Sequence, residues 1–103
     1  MAADVAALMA FKDKGGVLRD YGKGEKRGPG AILDVACDIW IPAARPDTLT
    51  ADNVKHLQAR LVIQGANIPA TEPAEEWMHA HGVLSIPDFI ANAGGVTVSY
   101  FEW

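Results

Sequence analysis

The fold is decided by residues 61–86, which read LVIQGANIPATEPAEEWMHAHGVLSI. The stretch opens with the apolar triplet Leu61-Val-Ile63 and closes with Val83-Leu-Ser-Ile86, and short uninterrupted apolar runs of this kind are typical of buried strands. Between them Thr71 is a good N-cap and Gly82 a good terminator for a helix. The inward stripe of that helix is Ala74, Trp77, Met78 and His81. A strand, a helix and a second strand in this order predict a parallel crossover unit.

The same alternation extends on both sides of this unit. Upstream, Ile39-Trp-Ile41 is a further strand candidate, and Thr50 is expected to cap a short helix that runs to about Gln58. Downstream, a last helix is expected over Val96 to Trp103. The order strand, helix, strand, helix, strand, helix predicts an α/β chain whose parallel sheet has about three strands and is covered by helices on both faces.

The first thirty residues carry less information. Asp4 can cap a helix over residues 4–14, which Gly15-Gly16 would end, and Val17 to Tyr21 is expected to be a brief extended piece. Residues 22–30 contain four glycines and one proline, and a segment of that composition holds no regular element. We therefore predict a loop there.

Composition places the chain among ordinary globular domains. It has 103 residues, of which 50% are hydrophobic and 21% charged, and this length fits one domain. A net charge of −4 lacks the basic field of a nucleic-acid binder, and no apolar run is long enough to span a membrane. The apolar start contains Asp4 and has no basic leader, which argues against a signal peptide, so we expect a cytoplasmic protein. The single Cys37 excludes an internal disulfide.

Three small-residue segments follow the predicted strands. They are Pro42-Ala-Ala44, residues 64–67 and residues 88–95, and in open parallel sheets ligands bind beyond the carboxyl ends of the strands. Small residues let a ligand approach the backbone closely, and the amides of Asn67 and Asn92 both donate and accept hydrogen bonds. The pattern therefore predicts a ligand site at this edge, although ordinary strand–helix turns have the same composition.

One segment carries a family resemblance. Residues 92–103, which read NAGGVTVSYFEW, closely resemble the segment after the last strands of the nucleotide-binding domain of glutamate dehydrogenases. Ile41-Pro-Ala-Ala44, Gly65-Ala-Asn67 and Ile86-Pro-Asp88 fall in the order and spacing of that family. The first five of these twelve residues are shared with leucine, phenylalanine and valine dehydrogenases, whereas the Ser-Tyr-Phe-Glu-Trp continuation is similar to the glutamate branch. The resemblance is firm over residues 31–103.

The resemblance implies a Rossmann-type fold, of which residues 1–103 would be the second half of a dinucleotide-binding domain. The cofactor, NAD or NADP, would be contacted by Ala43, Ala44, Gly65, Ala66, Asn67 and Asn92. The two alanines 43 and 44 would line its adenosine side, residues 65–67 would approach the nicotinamide ribose, and Asn92 would hold the carboxamide.

The same resemblance implies a reaction, the oxidative deamination of L-glutamate to 2-oxoglutarate and ammonia. Val96 and Ser99 would face the substrate, with the Ser99 hydroxyl donating to the side-chain carboxylate of glutamate. Family members are commonly hexamers, so a homo-oligomer is expected. A three-stranded sheet also leaves two apolar edges, and we expect the isolated chain to associate or exchange elements.

Parts of the family pattern are absent from this sequence. The Gly-x-Gly-x-x-Gly turn is missing, because residues 22–28 have the wrong spacing and are followed by Pro29. The substrate domain, which supplies the catalytic lysine and aspartate of the family, has no counterpart here. We therefore predict no catalytic residue and no metal site in this chain, and expect it to be inactive alone. The alternative is a non-catalytic α/β nucleotide-binding or scaffold module.

Overall fold

The computed structural model describes residues 4–103, which fold as an α/β chain. The α-helices are α1 (Val5–Asp13), α2 (Glu72–Ala80), α3 (Asp88–Ala91) and α4 (Ala93–Glu102). The strands are β1 (Ile39–Trp40), β2 (Leu61–Ile63) and β3 (Leu84–Ile86). Short 3₁₀ turns occupy Leu18–Asp20, Pro29–Ile32 and Val54–His56. No helix within residues 4–103 is both long enough and apolar enough to cross a membrane.

The strands form one parallel sheet in the order β1-β2-β3, which confirms the predicted fold class. Ile39 pairs with Leu61, which pairs with Leu84 on its other side. Because successive side chains of a strand point to opposite faces, these three residues share one face, and Trp40, Val62 and Ser85 share the other.

The core lies on the Val62 face of the sheet. Helix α2 and the turn Val54–His56 pack together there, so both connections between strands cover the same face. The side chains of Leu49, Val54, Val62 and Met78 are all completely buried. The hydrophobic cluster therefore joins α2, through Ala74 and Met78, to the covered face of the sheet.

The opposite face of the sheet is open, which corrects the expectation of helices on both faces. Ile39 is 52% exposed, Ile41 57% and Leu84 65%. Strands form where the apolar runs predict them, but within residues 4–103 no helix crosses over this second face. The final helix α4 packs instead against α3 at the sheet edge.

The predicted helix from Thr50 to Gln58 is wrong. Only the 3₁₀ turn Val54–His56 forms, and Thr50 does not cap it. Instead the Asn53 side chain accepts a hydrogen bond from the Thr50 backbone N–H at 2.8 Å and donates one to the Thr48 carbonyl at 3.0 Å. An asparagine side chain that bonds to nearby backbone in this way competes with helix formation, which explains why the segment is a turn.

Other boundaries differ by smaller amounts. Val17 to Tyr21 contains a 3₁₀ turn and not an extended piece, and residues 88–91, for which no helix was predicted, form α3. The last helix begins at Ala93 and not at Val96, so the two glycines at 94 and 95 lie inside it. The Asp4 cap is confirmed, because its carboxylate accepts from the Ala7 backbone N–H at 3.0 Å.

Ile68 is conformationally strained, and this gives a first testable prediction. Its φ angle is +44°, in the left-handed region that costs a β-branched residue about 1–2 kcal/mol, and its side chain is 66% exposed. Replacing Ile68 with glycine removes this strain and little packing, so we expect the free energy of unfolding of the 103-residue chain to rise by about 1 kcal/mol in urea titrations.

The matched control for this change is Ile90→Gly. Ile90 is similarly exposed, at 62%, but lies in helix α3 with ordinary backbone angles. Glycine there is expected to lower stability by about 1 kcal/mol. Equal destabilisation by both substitutions would contradict the assignment of strain to Ile68.

Candidate functional site

The segments that follow the three strands meet at one edge of the sheet and enclose a cleft of about 630 Å³. The residues that line it are Ala43, Ala44, Arg45, Pro46, Gly65, Ala66, Asn67, Ile68, Asn92, Gly95 and Val96. Parallel strands deliver their carboxyl ends to the same edge, which is why positions far apart in the sequence converge here. The structure therefore brings together seven of the eight residues that the sequence singled out.

The first two segments are in direct contact. The Ala66 backbone N–H donates to the Pro42 carbonyl at 2.8 Å. A Cβ atom placed on Gly65 would lie 3.1 Å from the Ala43 Cβ and 3.5 Å from the Ala43 Cα and from Cγ2 of Ile41. Any side chain at position 65 would crowd this approach, so the floor of the cleft depends on the glycine.

The second and third segments are joined by their asparagines. Nδ2 of Asn92 donates to Oδ1 of Asn67 at 2.7 Å. Among residues 4–103, the side-chain amino group of Asn67 and the side-chain carbonyl of Asn92, which this bond does not use, make no hydrogen bond. The pair therefore leaves an amide donor on Asn67 and an amide acceptor on Asn92, the two kinds of group that a primary carboxamide requires.

A buried glutamine fixes the end of β2 beneath the cleft. Gln64 is 3% exposed, and its Nε2 donates to Oε1 of Glu75 at 2.7 Å and to Oγ of Ser85 at 3.0 Å. Its backbone N–H also bonds to the Ile86 carbonyl at 3.0 Å. These bonds tie the segment that carries Gly65 and Asn67 to α2 and β3. Sequence reasoning missed this anchor, because a glutamine among apolar residues gives no sign of its partners.

Arg45 gives the cleft its charge. It lies directly after Ala44 in the lining, and no acidic side chain is among the residues that line the cleft. A guanidinium group favours anionic ligands such as phosphates. Sequence reasoning did not select Arg45, although its position after the first small-residue segment was the available signal.

Val96 and Ser99 differ in their placement. Val96 lines the cleft and also a second cavity of about 630 Å³ beside it. That cavity is bordered by Asn67, Asp88, Phe89, Asn92, Ala93, Val96, Thr97, Tyr100 and Phe101. Ser99 is exposed on α4 and borders neither space.

In residues 4–103 the structure gathers no group of three or more histidine, cysteine or acidic side chains suited to a metal ion.

An α/β sheet of parallel strands with a small-residue cleft along its carboxyl edge defines a Rossmann-like protein. The sequence model of the glutamate/leucine/phenylalanine/valine dehydrogenases matches residues 2–103. The chain belongs to this dehydrogenase family.

Individual relatives agree with that assignment. A glutamate dehydrogenase of Thermotoga maritima is 43% identical over 100 residues, which are 97% of this chain and 24% of that protein. The hetero-hexameric glutamate dehydrogenase of Thermus thermophilus, solved with Leu bound, superposes with a TM-score of 0.82 at 28% identity and matches 99% of this chain and 24% of its own. The glutamate dehydrogenase of Plasmodium falciparum superposes with a TM-score of 0.63 at 33% identity over 68% of this chain and 16% of its own. The chain thus spans about a quarter, or less, of these relatives.

Proposed function

We propose that residues 1–103 are the second half of a dinucleotide-binding domain, in an enzyme that uses NAD or NADP to convert L-glutamate to 2-oxoglutarate and ammonia. Family membership and the 43% identity to a glutamate dehydrogenase support this proposal. The observation that carries it is the asparagine pair, Asn67 and Asn92, set beside the close approach of Gly65 to Ala43 in one cleft.

The residues present fit a nicotinamide dinucleotide. The free donor of Asn67 and the free acceptor of Asn92 match the two ends of the nicotinamide carboxamide, and Arg45 lies in the same cleft with a charge that suits phosphate. Ala43 and Ala44 are proposed to line the adenosine side, with Gly65 and Ala66 next to the nicotinamide ribose. When bound, the nicotinamide ring supplies the chemistry by accepting a hydride from the amino acid.

The task of this chain is to bind and orient the cofactor. Gly65 lets the ligand approach the backbone, while the Asn67–Asn92 pair fixes the rotation of the carboxamide and so of the ring that carries it. The hydrogen bonds of the Gln64 side chain to Glu75 and Ser85 hold the segment that carries Asn67 against α2 and β3. The catalytic acid–base groups are proposed to lie in a substrate domain outside this sequence, so the isolated chain is expected to be inactive.

The direct test is an assay of the intact protein that carries this sequence. Purified protein is mixed with NAD or NADP and with L-glutamate, L-leucine, L-phenylalanine or L-valine, and formation of reduced nicotinamide is followed by absorbance. We expect the highest kcat/KM with glutamate. A preference for one of the apolar amino acids would place the protein in another branch of the family, and no reduction with any of them would contradict the proposal.

Ser99 tests the substrate class more closely. Ser99 lies outside both cavities described above, and its proposed role rests on the family resemblance. We propose that its hydroxyl donates to the side-chain carboxylate of glutamate, and a hydrogen bond to a charged group contributes about 1.5–3 kcal/mol. Ser99→Ala in the intact protein is therefore expected to lower kcat/KM for glutamate at least about ten-fold.

The control for Ser99 is a change of substrate. L-Norvaline has no side-chain carboxylate, so Ser99→Ala is expected to leave kcat/KM for norvaline unchanged. An equal loss with both amino acids would show that the hydroxyl acts on something other than the carboxylate.

We also propose that the intact protein forms a homo-oligomer, to be checked by sedimentation velocity.

A further inference from the structure

Asp88 connects the two segments that carry the asparagine pair. It is the first residue of α3, directly after β3 and Pro87. Its Oδ2 accepts a hydrogen bond from the Ile68 backbone N–H at 2.8 Å, and its Oδ1 accepts one from the Phe89 backbone N–H at 2.7 Å. One carboxylate thus holds the segment after β2 against the start of the helix after β3.

Hydrogen bonds connect Asp88 to Asn92 itself and to Ile68, the neighbour of Asn67 in the sequence. Ile68, whose N–H reaches the carboxylate, directly follows Asn67, so the bond fixes the peptide group between these two residues. The Asn92 backbone N–H donates to the main-chain carbonyl of Asp88 at 2.8 Å. The Asp88 side chain thus ties the segment that carries Asn67 to the helical turn that leads to Asn92, and the two asparagine side chains meet at 2.7 Å.

The Asp88 bond also restrains a residue that would otherwise leave its conformation. Ile68 has a φ angle of +44°, which is unfavourable for a β-branched side chain, and such strain persists only where surrounding contacts hold it. The Ile68 carbonyl accepts from the Asp47 N–H at 2.9 Å, so the residue is held on both of its peptide groups. Without the carboxylate, the Asn67 side of this restraint is lost.

We propose that Asp88 is a positioning residue for the cofactor carboxamide. This inference rests on the proposed function, because the ligand it concerns is the nicotinamide end of NAD or NADP. A carboxylate accepts hydrogen bonds at both of its oxygens, here from the N–H groups of Ile68 and Phe89. An asparagine has an NH2 group in place of one oxygen, so it can accept from only one of these two N–H groups in the same geometry. Asp88 is not among the residues that line the cleft with Ala43 and Ala44 on the proposed adenosine side.

The test compares two ligands on the intact protein. NADH carries the carboxamide and ADP-ribose lacks it, and the dissociation constant of each is measured by isothermal titration calorimetry. Loss of a charge-assisted hydrogen bond is expected to make Asp88→Asn bind NADH at least about ten-fold more weakly and ADP-ribose with unchanged affinity. If the protein uses NADPH, the pair is NADPH and 2′-phospho-ADP-ribose.

A second variant and a control keep the inference testable. Asp88→Ser keeps one side-chain oxygen at this position but is too short to bond Ile68, so it is expected to behave as Asp88→Asn even if the latter folds poorly. Asp52→Asn, at an exposed turn outside the cleft, is expected to bind both ligands normally. Hydrogen exchange of the unliganded protein is expected to show faster exchange of the Ile68 amide in both Asp88 variants, with the core amides of α2 unchanged.

The outcomes separate this inference from the proposed function. Equal weakening of NADH and ADP-ribose by the Asp88 variants would indicate a general loss of structure, and no weakening of either would show that Asp88 does not position the pair; each result overturns the inference. Asn92→Ala is measured alongside them. If it too leaves NADH affinity unchanged, the carboxamide does not bind at the asparagine pair and the proposed use of the cleft fails.

Discussion

Replacing Gly65 with leucine is expected to weaken binding of the dinucleotide by the intact protein severely. Even the first atom of a side chain at this position would lie 3.1 Å from the Ala43 Cβ, and the remaining atoms of leucine would project into the cleft of about 630 Å³. We expect the dissociation constant for NADH to rise at least about a hundred-fold, which corresponds to about 2.8 kcal/mol. Titration calorimetry measures the change directly.

The control is the same substitution at Gly28. A Cβ there meets no atom within 4 Å, and Gly28 has extended backbone angles that leucine adopts easily. Gly28→Leu is therefore expected to bind NADH normally. Circular dichroism and thermal unfolding confirm that Gly65→Leu is folded before its affinity is interpreted. A folded Gly65→Leu variant that binds NADH as the wild type does would show that the cofactor does not occupy this cleft.

The largest effect on stability is expected from Leu49→Ala. Leu49 is completely buried in the cluster under α2, and its backbone bridges to Ala70, with its N–H bonded to the Pro69 carbonyl at 2.8 Å. Truncating a fully buried leucine removes its transfer free energy and leaves a cavity, which together cost about 2–5 kcal/mol. Because a small domain has only about 5–15 kcal/mol in total, the variant is expected to lose a large part of its stability.

Urea unfolding of the 103-residue chain, followed by tryptophan fluorescence, measures this loss. The matched control is Leu18→Ala, the same chemical change at a side chain that is 54% exposed. It is expected to cost less than about 1 kcal/mol, as surface substitutions usually do. Equal losses at positions 49 and 18 would contradict the one-sided core described above.

The sheet was predictable because its signals are local. Leu61-Val-Ile63 and Val83-Leu-Ser-Ile86 are apolar runs bounded by residues that stop strands, and the helical pattern between them leaves only the parallel arrangement. The helix expected after Thr50 failed because Asn53 bonds back to Thr48 and Thr50, a choice that depends on a side-chain rotamer. The prediction that helices cover both faces of the sheet was wrong for a different reason. Apolar strands indicate that a face needs cover, but they do not say which part of a chain provides it.

For the candidate site too, the sequence predicts one part and not another. The convergence of Ala43, Gly65, Asn67 and Asn92 follows from parallel topology, which carries every strand end to one edge, and the sequence predicted it. The roles assigned to these residues remain predictions. The sequence places Asp88 in the Ile86-Pro-Asp88 motif and in the segment 88–95, but it does not predict the bond to Ile68, which joins positions 20 residues apart through one side-chain oxygen and one backbone N–H. No spacing rule or composition marks such a contact.

The order of the strands has a consequence for how the chain acquires its structure. Each strand pairs with the next one along the sequence, and α2 lies between the two strands that it connects and covers. No pairing has to wait for a distant part of the polypeptide, so the loop-closure entropy of each step is modest. We therefore expect each strand to be able to pair with its predecessor as soon as a ribosome has released it.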